Sequence, residues 1–449
     1  MINRREFFQY SSASLLATAL LNSCQQDATR DEISRPNLIV LIADDLRWDC
    51  LGIFNKIIQT PNIDLLGNQG NIFLNNFVTT SICPTSRASI FTGLYARSHG
   101  IWDFETALSQ KQWHSTYLDL LKQANYTNAF LGKWGLGGEL PVEKFDYWRG
   151  FPEQGNYYTE NRKEHLTSYL TSQAEDFIGS QTEHFCLTLS YKAPHVDDDP
   201  ENPFIPDTKF AQQYQNVTIP RYEPESQLAQ LPKFLQETEA QARYDQRFKT
   251  EKMYQKSVKN YYRLISGIDE SIGRIVRAVE QQNFAQDTYI IFTSDNGFFL
   301  GEKGLAGKWF GFEPAIRTPL IVSCINQPRS TPRMVSDMSL NVDLAPTILA
   351  LAQVDHKTNF HGKNLFSQEQ NQRRWWFYEH LFKHPRIPQN VGIRDLRYKY
   401  LSFPEYEAEI LFDLKQDPQE NINLAQDSSY QALVEQYRQF VQESERNFS

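Results

Sequence analysis

Cysteine is scarce in this 449-residue chain, and the five present, Cys24, Cys50, Cys83, Cys186 and Cys324, have no metal-cluster spacing and are odd in number. They do not form a disulfide framework. An excess of basic charge is missing too: the net charge is −9, which argues against a nucleic-acid partner, since binding one needs a basic face. An anionic substrate stays open, because a pocket can be locally positive in an acidic protein. The apolar run near the start, Ala13 to Leu21, is too short to span a bilayer. What is present, 40% hydrophobic and 13% aromatic residues, fits a soluble globular enzyme with a large core. The length suggests two to three domain-sized units.

The first segment reads as an address. Asn3-Arg4-Arg5-Glu6-Phe7-Phe8 precedes the apolar run, which ends in Leu21-Asn22-Ser23-Cys24. A charged start followed by a short apolar region is the pattern of an export signal. The paired arginines before Phe7-Phe8 resemble a twin-arginine signal, and Leu-Asn-Ser-Cys resembles a lipobox that would make Cys24 an acylated first residue. The expectation is a signal over 1–24, a polar tether over 25–35, and a periplasmic or cell-surface lipoprotein whose only membrane contact is that anchor.

Beyond Pro36 the chain repeats one device. Leu38 to Ile42 is a continuous β-rich apolar run, the pattern of a strand buried on both faces of a mainly parallel sheet, and it delivers Asp44-Asp45. Tyr126 to Leu131 delivers Gly132-Lys133-Trp134-Gly135, Phe185 to Tyr191 delivers Ala193-Pro194-His195, and Tyr289 to Thr293 delivers Ser294-Asp295-Asn296-Gly297. In open α/β sheets, ligands bind beyond the carboxyl ends of the strands. One such end alone is a solvated turn; four of them presenting Asp, Lys, His and Asp-Asn are a rare coincidence. Adjacent carboxylates repel unless a cation is shared, which suggests a hard, oxygen-bound metal.

Between these strands the spacing predicts a helix from about Tyr254 to Gln282, with Leu264, Ile265, Ile268, Ile272, Ile275, Val276 and Val279 on its buried face. Asp197 to about Lys252 lacks periodicity and reads as a lid or pocket wall. A glycine-rich loop, Gly301 to Lys308, could carry lysines towards the sheet edge, and Leu320 to Cys324 is a further strand. The expected architecture is a large mainly parallel α/β sheet sandwiched by helices over 36–353. A smaller α+β unit follows over 354–449, with strands near Leu396–Leu401 and Glu409–Leu414 and a last helix from about Tyr430.

The segment Thr80 to Gly93 organises the rest. A helix N-terminus offers unpaired N–H groups and a positive dipole end, a natural place for an anion-handling group. Cys83-Pro84-Thr85-Ser86-Arg87 resembles the Cys-x-Pro/Ala-x-Arg signature of the type I, formylglycine-dependent sulfatases of the alkaline-phosphatase-like superfamily. The likeness continues through Thr60-Pro61-Asn62-Ile63-Asp64, Asp343-Leu344-Ala345-Pro346-Thr347, Arg397-Tyr398-Lys399-Tyr400, Leu411-Phe412-Asp413-Leu414 and Asp417-Pro418, nearly the whole chain after the address.

What the resemblance implies is hydrolysis of sulfate esters on a sulfated carbohydrate or small molecule. Cys83 would be converted to formylglycine by a formylglycine-generating enzyme, and its hydrate would be the nucleophile. Asp44, Asp45, Asp295 and Asn296, with the modified Cys83, would ligate one calcium ion, a set of hard oxygen donors that suits it. Arg87 would hold the nucleophile's loop, and Lys133, His195 and Lys308 would grip sulfate, with His195 or Lys308 helping the alcohol leave. Three positions depart from the family pattern: Thr85 for Pro/Ala, Gly135 for a histidine, and Lys303 for another histidine whose positive charge it would replace. Two other readings stay open: a phosphate-ester hydrolase of the same superfamily, which would use zinc with His ligands, and a lipid-anchored binding protein without catalysis. The aromatic and basic run Trp375 to His380, with His384, Arg386 and Arg394, would either select the substrate or form a domain interface.

Overall fold

The computed structural model describes residues 35–449 except 198, 200, 222, 285–286 and 368–372. The expected export signal, Cys24 and nearly all of the tether therefore lie outside the described residues. No helix among those described is long and apolar enough to cross a membrane.

Eight strands form one large sheet: β1 (Asn37–Asp44), β2 (Asn71–Phe77), β3 (Thr127–Lys133), β4 (Tyr147–Phe151), β5 (Phe185–Pro194), β6 (Thr288–Ser294), β9 (Leu320–Cys324) and β10 (Arg333–Leu340). Their order is β10-β2-β9-β6-β1-β5-β3-β4, and only β9 runs antiparallel to its neighbours. This is the mainly parallel sheet that the apolar runs imply. Side chains alternate between faces along a strand. In β1, Ile39, Leu41 and Ala43 accordingly enter one core, while Leu38, Val40 and Ile42 enter the core on the other face.

The first of those cores is closed by the helices Leu166–Gly179 and Glu251–Gln282. The longer helix begins one turn before the expected Tyr254, because Thr250 caps it by accepting a hydrogen bond from Met253 N at 3.2 Å. Of the seven apolar positions expected on its buried face, Leu264, Ile265, Ile268, Ile272, Ile275 and Val279 are buried, and Val276 is half-buried at the edge of the same core. The second core is closed by the helices Cys83–Thr92, Tyr117–Gln123 and Leu344–Leu351.

Asp197 to Lys252 is less irregular than its composition suggests. It carries two short helices, Pro224–Gln230 and Glu239–Arg247, the second capped by Thr238. The first packs on the Glu302–Gly304 turn, where Gln227 Oε1 accepts from Lys303 N at 2.9 Å. Two short strands, β7 (Phe299–Leu300) and β8 (Ala306–Gly307), pair antiparallel and bracket that turn.

The C-terminal sheet has four antiparallel strands where two were expected: β11 (Trp375–His380), β12 (Asn390–Asp395), β13 (Tyr398–Phe403) and β14 (Ala408–Asp413). The last helix, Gln431–Phe448, packs on it through Val434, Tyr437 and Val441. Pro36 to Ser449 form one compact unit. Phe77, Val78, Ile82, Phe310 and Phe312 of the large layer share a hydrophobic core with Trp376, Phe377, Tyr378, Ile393 and Leu411 of the small one.

Candidate active site

The sheet order places β6, β1, β5 and β3 side by side, so their carboxyl ends bring Asp295, Asp44, His195 and Lys133 to one spot. Asp44 ends β1, and Asp45 turns away from it with φ +67, a left-handed conformation that non-glycine residues rarely adopt. Four contacts hold that turn. Asp45 N donates to Asp295 Oδ1 at 3.2 Å and Leu46 N to Ser294 Oγ at 2.9 Å. The Tyr261 hydroxyl, from the long helix, donates to Asp45 O at 2.6 Å and accepts from Arg47 N at 3.2 Å. No periodicity marks Tyr261 as part of a site; in the sequence it is one more buried residue of that helix.

Cys83 is the first residue of a ten-residue helix buried along its entire length, ended by Gly93 in the left-handed region. Ordinary surface helices hide only a stripe, so this one is held inside the protein on all sides. Its position puts Cys83 Sγ 3.3 Å from Asp44 Oδ1 and 2.7 Å from the Lys308 ammonium, which also donates to Asp45 Oδ1 at 2.5 Å. Lys308 is carried there by the β7–β8 ribbon. One turn into the helix, Arg87 is wholly buried. Its Nε donates to Asp295 Oδ2 at 2.9 Å, its Nη1 to Lys133 O at 2.5 Å and to Ser190 Oγ, and its Nη2 lies 3.4 Å from Asp44 Oδ2. Lys133 Nζ donates to Asp44 Oδ2 and, at 2.6 Å, to Gln154 Oε1. His195 Nε2 lies 3.6 Å from Asp45 Oδ2.

Asp44, Asp45, Cys83 and His195 offer ligand atoms within 4.8 Å of one another. Asn296 Nδ2 donates to Asp45 Oδ1 at 2.5 Å, while its Oδ1 is buried without a hydrogen-bond partner. A buried carbonyl oxygen left over beside carboxylates is a hard donor that a cation could take.

The charges interlock. Burial works against ionisation of Asp44, yet Lys133, Lys308 and Arg87 hold its carboxyl well below the usual carboxylate range. Burial, reinforced by Asp44 and Asp295, pushes Asp45 up to about 6 against the pull of Lys308. Burial and then the Asp44 charge push the Cys83 thiol up to about 12. Burial drives His195 well below the usual histidine value, so its ring is neutral in the closed site.

Every residue singled out at the strand ends thus meets in one buried cluster. The departures from the family pattern look different in three dimensions. Gly135 sits at φ +79, and a Cβ there would come 2.6 Å from Arg87 Cδ. The arginine lies across the bare backbone, so this chain has no room for an imidazole at that position. Lys303 does not supply charge to the site. Its ammonium donates to Gln419 O at 2.8 Å, Glu420 O at 2.6 Å and Asn421 Oδ1 at 3.2 Å, pinning a C-terminal loop. Thr85 is buried with Oγ1 unpartnered.

The aromatic run Trp375 to His380 is a strand, not a cleft wall. Trp376, Phe377 and Tyr378 are core, and Glu379 accepts from Arg97 N at 2.9 Å and pairs with its Nε at 3.1 Å. His380 is fully buried with both ring nitrogens unpartnered, and burial lowers it to about 3. Arg394 pairs with Glu313 at 3.2 Å. Of the two readings of this stretch, the interface between layers is the one the packing gives.

Acids at adjacent strand ends, met by a ring of buried cations around a helix N-terminus, define a hydrolase that receives a tetrahedral oxyanion. The chain belongs to the sulfatase family, the sulfuric ester hydrolases: the family profile matches residues 36–354, and a C-terminal profile described as N-sulphoglucosamine sulphohydrolase matches residues 301–447. Among curated relatives, an N-acetylglucosamine-6-O-sulfatase of Bacteroides thetaiotaomicron is 27% identical over 96% of this chain and 90% of its own length. An arylsulfatase of Clostridium perfringens is 25% identical over 91% of this chain and 94% of its own length. A solved structure in complex with its substrate D-glucosamine-2-N,6-O-disulfate superposes with TM-score 0.81 at 25% identity, covering 92% of this chain and 98% of the other. A phosphonate monoester hydrolase of Agrobacterium radiobacter, at 21% identity and TM-score 0.77 over 92% of this chain and 96% of its own, shares the fold.

Proposed function

We propose that this protein hydrolyses sulfate esters of a sulfated carbohydrate, using a formylglycine made from Cys83 and one calcium ion. The observation that carries the reading is the convergence of Arg87, Lys133, His195 and Lys308 on the carboxylates of Asp44, Asp45 and Asp295 around Cys83. The carbohydrate part rests on the relatives: one is named for N-acetylglucosamine 6-O-sulfate, and another is bound to a disulfated glucosamine.

The residues fit the metal. Asp44, Asp45, Asp295 and the orphaned Asn296 Oδ1 are hard oxygen donors, the set calcium prefers, and a thiolate is not needed among them. Calcium there would hold the acids together and polarise sulfate oxygens, and a formylglycine hydrate at position 83 would supply the attacking oxygen. The chain's own groups do the rest. Arg87 fixes the position of residue 83 through the helix it sits in and shares its charge between Asp44 and Asp295. Lys133 and Lys308 lie where they can donate to the non-bridging sulfate oxygens, where negative charge is greatest. The Nδ1 of His195 lies 2.8 Å from Val196 O, so its Nε2 faces the site as an acceptor that can orient the departing alcohol, and the Lys308 ammonium is the group that holds a proton to pass to it.

Mass spectrometry of the peptide containing Cys83, from protein made in its own host, tests the modification. Loss of the thiol and an aldehyde trappable by a hydrazide is the expected result. An alkylatable cysteine in a protein that still cleaves sulfate esters overturns the mechanism. For the metal, the Asp44→Ala, Asp295→Ala double variant should lose calcium as well as turnover; stoichiometric calcium in that variant overturns the assignment, and zinc in the native protein would favour a phosphohydrolase. For the substrate, sulfated glucosamine is the first compound to assay.

The same reading includes export as a lipoprotein. Arg4→Lys, Arg5→Lys should hold the precursor in the cytoplasm if the twin-arginine route is used. Cys24→Ser should release the protein from the membrane fraction; unchanged membrane localisation would sink the lipobox.

A further inference from the structure

The geometry points to Gln154 as the positioning residue that aims the Lys133 ammonium at the substrate's sulfate, a role that rests on the sulfatase reading above. Two side-chain acceptors take the Lys133 ammonium: Asp44 Oδ2 and, at 2.6 Å, Gln154 Oε1. Asp44 is shared, since Arg87 Nη2 lies 3.4 Å from the same oxygen and Cys83 Sγ reaches its other oxygen at 3.3 Å. Anything positive that binds Asp44 competes with the lysine for it. Gln154 has no such rival and differs in kind. A carboxylate partner neutralises an ammonium, whereas an amide oxygen orients it and leaves its charge available to an anion.

The segment bearing Gln154 is anchored on both sides to strands of the site. Three residues before it, Phe151 pairs in register with Lys133, and Phe151 O accepts from Trp134 N at 3.1 Å. Three residues after it, the Tyr157 hydroxyl donates to the backbone carbonyl of His195 at 2.6 Å. Tyr157 is itself immobilised: it is fully buried, its ring stacks on His165 at 4.9 Å, and the Lys192 ammonium sits 5.0 Å from its centroid. The loop from 151 to 157 therefore spans from the lysine's strand to the histidine's strand, with Gln154 at its middle. Gln154 is half-buried at the wall of a cavity of about 630 Å³ that also touches Phe151, Asn156 and Tyr169. A change there alters the lysine's orientation without opening the core.

The test compares Gln154→Met, which keeps the length and removes the acceptor, with Gln154→Asn, which keeps an amide but draws it back by one methylene. Gln173→Met is the control. That glutamine bonds the Tyr147 hydroxyl and Arg149 Nε at 3.1 Å each and does not touch Lys133. The readouts are kcat and KM on an aryl sulfate, the inhibition constant of inorganic sulfate, and the melting temperature. Removing a hydrogen bond to a charged group should raise KM and the sulfate inhibition constant together by about 10-fold in both Gln154 variants. The control should match the native protein, and melting temperatures should agree. A merely structural role would lower melting temperature and kcat without moving the sulfate constant. An unchanged sulfate constant in the two Gln154 variants overturns this inference alone. A native, aldehyde-bearing protein that neither turns over a sulfate ester nor is inhibited by sulfate overturns the proposed function and this inference with it.

Discussion

Arg87 has no contact with water, so every charge it carries is answered by Asp295, Asp44 and two neutral acceptors. Removing one partner of a buried pair leaves an uncompensated charge and typically costs about 3–5 kcal/mol. Arg87→Ala should lose about that much in denaturant unfolding, together with turnover. Gly135 belongs to the same contact. With φ +79 and a Cβ position 2.6 Å from Arg87 Cδ, Gly135→Ala should cost about 1–3 kcal/mol and depress kcat, by strained backbone and a displaced guanidinium. An unchanged unfolding midpoint would show that the arginine yields freely. His99 gives a pH signature. It is buried, its Nε2 meets Ser89 Oγ at 3.1 Å and its Nδ1 accepts from Ile101 N at 3.0 Å, and burial lowers it to about 3. The folded value lies below the unfolded one, so its neutral form supports the fold above about pH 6.5. That support is lost as pH falls towards 3, at about 1.4 kcal/mol per pH unit. His99→Asn should make the acid limb of stability shallower by about one proton in urea titrations at stepped pH. At this scale the site was legible wherever charge ended an apolar run. Tyr261, Gln154 and Ser190 were not, because they act through backbone and side-chain contacts between residues far apart in sequence, for which no local pattern exists.

The small sheet reaches Lys308 through its neighbour. Asn390 of β12 donates to Trp309 O at 3.1 Å and accepts from Gly311 N at 3.2 Å. Tyr378 of β11 donates to the same carbonyl at 3.1 Å, and Trp309 N donates to Ser81 O at 3.1 Å. Lys308 precedes this clamp and Cys83 follows Ser81 by two residues. Asn390→Ala leaves the buried Gly311 N–H unpaired, a penalty of about 1–3 kcal/mol confined to one loop. A small displacement of a catalytic group is expensive in rate. The expected result is a fall in kcat/KM of about 10-fold or more, with faster amide exchange over 309–312. Unchanged exchange with lost activity would point elsewhere. Among elements, those with a continuous apolar run, such as β1, β5 and β6, announced themselves. β2, β4 and β10 did not, since Asn71, Asn75, Asn76, Arg149 and Asp337 interrupt them and tertiary pairing decides their state. β11 was visible only as a cluster of aromatics, whose function as core depends on a partner layer that the local sequence does not display.

For the molecule as a whole, the shared core makes the two layers dependent on each other. Phe77 stacks on Trp376 at 5.3 Å, and Arg97 joins Glu379 to Glu445 of the last helix. A chain ending at residue 353 would uncover the Phe77, Phe310 and Phe312 surface to water. It should appear in the insoluble fraction, or bind a hydrophobic dye if soluble; a well-folded monomer with a cooperative melt would show that the large layer stands alone. The same closure bears on the timing of biosynthesis. Cys83 retains 1% of its surface, inside a helix covered on every side. A modifying enzyme would have no path to it in the finished protein. If Cys83 is the proposed formylglycine precursor, conversion would have to precede closure of the chain, and the yield of active protein would be set by a race between folding and modification. A chain that folded before it was modified would then stay inactive.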